Sequence, residues 1–100
     1  VNWSNTLSNL KVASITVFWG PEVEARRFFQ TLQKVGKRIN VPVKAGMGQA
    51  DGPDIELSAP KNTIVGPTLL MLFQKNGYRA KLTETEETER VVSIFIPDRS

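Results

Sequence analysis

Ser14-Ile15-Thr16-Val17-Phe18-Trp19-Gly20-Pro21, followed by an amphipathic run that continues to Asn40, is the stretch whose reading decides the fold. The apolar run reads as a strand over 12–19, nearly apolar throughout and therefore expected to be covered on both faces. Gly20 falls at the N-cap of a following helix. Pro21 falls at its first position, where a missing N–H costs nothing. Glu22 and Glu24 then complement the helix dipole. Ala25, Phe28, Phe29, Leu32, Val35 and Ile39 recur at helical spacing and form one apolar stripe. Lys34, Lys37 and Arg38 suit the C-terminal turns, and Asn40 suits the position just past the end. Gly36 costs the helix about 1 kcal/mol relative to alanine, which a close approach by a neighbouring element would explain.

Outward from this unit, Val1 to Lys11 is rich in Asn and Ser and reads as a lead-in or linker, with Trp3 or Leu7 docked on the body. The remainder, 12–100, reads as a single domain. Val41 to Ala45 is a candidate edge strand, because Pro42 cannot donate to a ladder. A glycine-rich loop over 46–54 leads to a strand at Ile55–Ala59. Gly66-Pro67 repeats the Gly-Pro corner and starts a second helix through Leu69 to Phe73, apolar nearly all round and expected to be well buried. Asn76-Gly77 ends it. Tyr78–Leu82 and Arg90–Pro97 read as two strands joined by an acidic turn over 83–89. The expected order is β-α-β-β-α-β-β: an α/β fold with a mixed, mostly parallel sheet and a C-terminal antiparallel hairpin. A ferredoxin-like α+β arrangement is the alternative.

The chain of 100 residues has no cysteine and no histidine. Disulfides, thiolate chemistry, the usual general base and the commonest transition-metal ligands are thereby excluded. No pair of carboxylates stands out, so no catalytic residue, no metal site and no cofactor is expected, and the chain reads as a non-enzymatic interaction or sensory domain. The net charge is +3, and four of the ten acids (Glu84, Glu86, Glu87, Glu89) sit in one short stretch; without them thirteen cations face six acids. No apolar run reaches the roughly 20 residues of a membrane span.

Two alternative ligand surfaces arise. Two Gly-Pro helix starts, if they lie at one sheet edge, nominate Trp19, Gly20, Lys61, Asn62, Thr63 and Gly66 for a small anion. Against this, Pro21 and Pro67 each remove a donor, and Glu22 and Glu24 repel anions. Arg26, Arg27, Lys34, Lys37 and Arg38 give the first helix a basic face that nucleic acid would suit. Nucleic-acid modules also display exposed aromatics, whereas Phe28 and Phe29 fall on the buried stripe. A solvated face is therefore the plainer reading, and nucleic acid is disfavoured behind a protein partner and a small anion. The loop Gly46-Met47-Gly48-Gln49-Ala50-Asp51-Gly52 lacks both the third glycine of a dinucleotide loop and the Gly-Lys-Ser/Thr ending of a phosphate loop. Asp51 and Asp54 alone do not make a calcium loop.

The corner Val17-Phe18-Trp19-Gly20-Pro21, the helix with Ala25 and Leu32 inside, the return strand Val41-Pro42-Val43 and the closing Phe95-Ile96-Pro97 are similar to small soluble α/β domains. Such domains are attached to transmembrane segments in uncharacterised bacterial proteins, and the resemblance covers roughly residues 14–97. It implies a domain that is cytoplasmic or tethered near a membrane, touching it only through segments outside this chain. The start at Val1 fits that expectation. It carries over no activity and no site residues.

Overall fold

The structure, a computed structural model, describes residues 3–19, 23–48, 50 and 52–97, with only the backbone described for 23–25. The elements are α1 (Trp3–Leu10), β1 (Ser14–Trp19), α2 (Val23–Ile39), β2 (Val43–Met47), β3 (Ile55–Pro60), α3 (Val65–Lys75), β4 (Ala80–Thr85) and β5 (Val91–Phe95). They form one α/β domain around a five-stranded mixed sheet of order β2-β1-β5-β3-β4. β1 pairs in parallel with β2 and with β5, β3 pairs in parallel with β4, and β3 meets β5 antiparallel. The chain thus contains two βαβ units that run in opposite directions, with β5 inserted between them. Each unit steps outward from the centre with its helix on the same face, so the two crossovers share one hand.

Alternation along the strands separates two unlike faces. Ile15 and Val17 of β1, Ile55, Leu57 and Ala59 of β3, and Val92 and Ile94 of β5 are buried in one core with Leu32 of α2 and Val65, Leu69, Leu72 and Phe73 of α3. The intervening residues Thr16, Phe18, Ser58, Ser93 and Phe95 are partly exposed and do not belong to that core. Among the described residues all three helices pack on the first face. The expectation of a first strand covered on both faces is therefore corrected: its apolar run serves a two-layer fold and carries Phe18 onto the open side. The same geometry corrects the reading of α3 as buried all round. As an outer layer it keeps one flank in solvent, with Met71 55% exposed.

The stretch read as a lead-in or linker is helix α1 from Trp3, with Leu7 docked as expected and Leu10 beside it in the core. Its Asn and Ser residues hid a single apolar stripe. The expected C-terminal hairpin does not form, because β4 is an edge strand and β5 is the central one. The acidic segment is a bridge, not a hairpin tip: it passes over the end of β3 to span two inter-strand spacings, about 10 Å. Lys61, just past β3, holds it there. Its N–H donates to the Thr85 carbonyl at 2.9 Å, and its Nζ pairs with Glu86 at 2.7 Å. The ferredoxin-like alternative is likewise not adopted.

Two contacts fix the ends of elements. Arg90 Nη1 donates to the Leu10 carbonyl at 2.7 Å, satisfying an acceptor that the end of α1 leaves free, while Ala13 N–H donates to the Arg90 carbonyl at 2.9 Å. Replacing Arg90 with alanine should lower unfolding free energy by about 1.5–3 kcal/mol, the range for a charge-assisted bond. Urea unfolding checks this, and a midpoint equal to that of the wild type would remove the role. Gly36 also has its reason: a Cβ there would lie 2.6 Å from the Val41 carbonyl oxygen and 2.6 Å from Val43 Cγ2. Gly36→Ala should therefore destabilise by about 1–3 kcal/mol although alanine favours helix by about 1 kcal/mol. An increased denaturation midpoint would contradict the close approach. Asn40, at φ 59°, takes the left-handed conformation expected just past α2.

Candidate functional site

The two helix starts that nominated an anion site do not share an edge. Because β1 and β3 run antiparallel through β5, α2 begins at one end of the sheet and α3 at the other. Gly20, with Pro21, lies outside the described residues. Trp19 lies on the helix-covered face, its ring 4.4 Å from that of Phe29 in a T-shaped contact. Lys61, Asn62, Thr63 and Gly66 stay together at the opposite end, where the backbone turns from β3 into α3. Thr63 Oγ1 donates to the Pro60 carbonyl at 2.8 Å and accepts from Val65 N–H at 3.3 Å. Asn62 adopts φ 62°. A Cβ on Gly66 would lie 2.9 Å from a Leu82 methyl, so the glycine lets α3 approach β4. These residues form a turn and its packing, and the crevice expected between two helix N-termini is not formed.

A different surface emerges on the other flank. Residues 25–50 contain six cations and no acid, whereas the rest of the chain has seven cations and ten acids. That stretch supplies α2 from its third residue onward, past Glu24, and the edge strand β2, so the sequence imbalance becomes a spatial one. Between 26 and 38, the exposed residues of α2 are Arg26, Arg27, Gln30, Thr31, Lys34, Lys37 and Arg38. Arg27, Thr31, Lys34 and Arg38 follow one another along a single stripe about 17 Å long at 1.5 Å per residue. Lys44 is exposed on β2, the strand that α2 approaches through Gly36, and Lys37 is the cation next to that contact. The ion pairs among the described residues, Lys61–Glu86, Arg79–Asp54 and Lys81–Glu56, all use other cations.

The open face of the sheet ends at the edge strand β2 and its Lys44. The register places Gly46, Phe18, Phe95, Glu56 and Lys81 in one row across the five strands, and Lys44, Thr16, Ser93, Ser58 and Thr83 in the next. The row of small hydroxyls is low and flat. In the other, Phe18 and Phe95 stack with ring centres 4.5 Å apart and planes 7° from parallel. Phe18 fills the space over Gly46, where a Cβ would come within 2.5 Å of its ring. Reasoning from the sequence missed this pair. Alternation within β1 and within β5 already sets each phenylalanine opposite the core residues, but only the β1–β5 pairing brings them together.

Other features offer less. Lys44 and Lys81 sit on the two edge strands and Pro42 precedes β2, which disfavours addition of a further strand. The glycine-rich connection is tied down at Ala50, whose N–H donates to the Ile96 carbonyl at 3.4 Å; Gln49 and Asp51 lie outside the described residues. Among the described residues no group of acids could hold a metal ion, and no helix is long and apolar enough to cross a membrane. No family model, curated protein or solved structure matches the chain.

Proposed function

We propose that this domain is a non-enzymatic binding module whose ligand is an anionic polymer held along the α2–β2 flank. The observation that carries this reading is the segregation of charge: six exposed cations, no acid in the stretch that supplies them, and no ion pair to them among the described residues. Cations that serve only solubility are usually interspersed with acids, whereas a one-signed stripe attracts a counter-charged partner over a Debye length. The small-anion reading loses its premise with the two helix starts at opposite ends. A protein partner has less support, because the large exposed apolar residues Met47, Ile64, Met71 and Tyr78 are spread over β2, the turn before α3, α3 itself and the turn after it.

Binding should be steeply salt-dependent. For four to six ion contacts, the slope of log K against log salt should be about −3 to −4 for a single-stranded polyanion. Fluorescence anisotropy of a labelled polyanion titrated with the domain at about 50 and 200 mM salt measures that slope. No binding at the lower salt, or a slope near zero, would sink the proposal.

A further inference from the structure

An aromatic stack on a sheet face that no helix covers keeps part of its ring surface in water, although such rings ordinarily bury it. Here Phe18 and Phe95 lie outside the main core, stacked at 4.5 Å on the face that carries no helix. Their surroundings are not apolar. Thr16, Ser93 and Ser58 adjoin them in the next row, Lys44 flanks Thr16, and Glu56 beside Phe95 has its charge offset by Lys81 at 3.8 Å. A greasy protein segment would leave these hydroxyls and the lysine without partners. A ligand that alternates flat rings with negative charges matches both the stack and its setting. Phe18 itself lies over Gly46 and beside Gly48, so the rings reach the edge strand that carries Lys44.

We propose that the open face binds single-stranded nucleic acid, with bases stacked on the Phe18–Phe95 pair and the phosphates running past Lys44 towards Lys37, next to the Gly36 contact with β2, and the other cations of α2. This rests on the anionic-polymer reading above and adds the chemical class of the polymer. Bases in a duplex have their faces covered by neighbours, so a single strand is the form that can offer them to the rings. Nothing in the pairing selects ribose over deoxyribose, and both sugars are therefore tested.

The experiment compares labelled oligouridylate and oligodeoxythymidylate of about ten nucleotides with polyphosphate of matched charge, a hairpin duplex and phosphatidylserine vesicles, all at one low salt. Either single strand, or both, should bind about tenfold or more tighter than polyphosphate, the gain expected from stacking a base. Phe95→Leu should lose about that factor for the single strands and leave polyphosphate binding unchanged, which also reports that the variant is folded. Phe95→Tyr, which keeps a ring, should retain the affinity. Equal affinity for single strands, duplex, polyphosphate and vesicles, or indifference to Phe95→Leu, would overturn the stacking proposal and leave the anionic-polymer reading standing. Absence of binding to any of the five would overturn both.

Discussion

Reversing three charges on the α2 stripe, Arg27→Glu, Lys34→Glu and Arg38→Glu together, should weaken binding to an anionic polymer by about a hundredfold or more at low salt. The salt slope should flatten by about 2, since each lost phosphate contact on a single strand contributes about 0.7. All three residues are exposed, and none contributes to the core, so the thermal transition should barely move. That combination separates a binding role from a structural one. The same three positions changed to glutamine should give an intermediate loss, because neutralisation removes attraction without adding repulsion. Triple-glutamate protein that binds with unchanged affinity would show the stripe to be a solvated surface and no more.

Phe73→Ala should have the largest effect on stability. Phe73 is fully buried, and its ring lies 5.1 Å from Trp3, 5.8 Å from Phe28 and 5.7 Å from Tyr78. One side chain therefore joins α1, α2, α3 and the turn after α3. Truncating a buried phenylalanine costs about 3–5 kcal/mol, a large share of the 5–15 kcal/mol that such domains have in total. For a domain of this length the midpoint of thermal unfolding should fall by about 15 °C or more. Phe73→Leu, which fills most of the volume, should cost about 1.5 kcal/mol or less. An alanine variant within about 1 kcal/mol of the wild type would mean that the aromatic cluster does not tie the helices together.

Much of the fold could be read from periodicity. The apolar stripe of α2 from Phe28 to Ile39, the left-handed Asn40 and the close approach at Gly36 all follow from local spacing and backbone chemistry, and the structure has them, while the side chain of Ala25 lies outside what is described. What local spacing does not encode is which strands become neighbours. Val92 and Ile94 alternate like a hairpin strand, yet β5 pairs with both β1 and β3, and the central slot buries both residues. That one displacement has two consequences. It reverses β3 relative to β1, which places the two Gly-Pro corners at opposite ends and dissolves the expected anion crevice. It also brings Phe95 beside Phe18. The basic face of α2 was visible from its composition alone, but it lacked an aromatic companion until strand order supplied one. Helix α1 escaped notice because polar residues surround its two core leucines, Leu7 and Leu10.

The most direct test of where this domain binds its ligand is amide chemical-shift mapping as oligouridylate is titrated into labelled protein. Shifts are expected on α2 between Arg26 and Arg38, on β2 around Lys44 and Gly46, and at Phe18 and Phe95, with α3 and the Lys61–Glu86 bridge silent. Shifts confined to the α3 side, or none at concentrations that saturate the anisotropy signal, would contradict this placement.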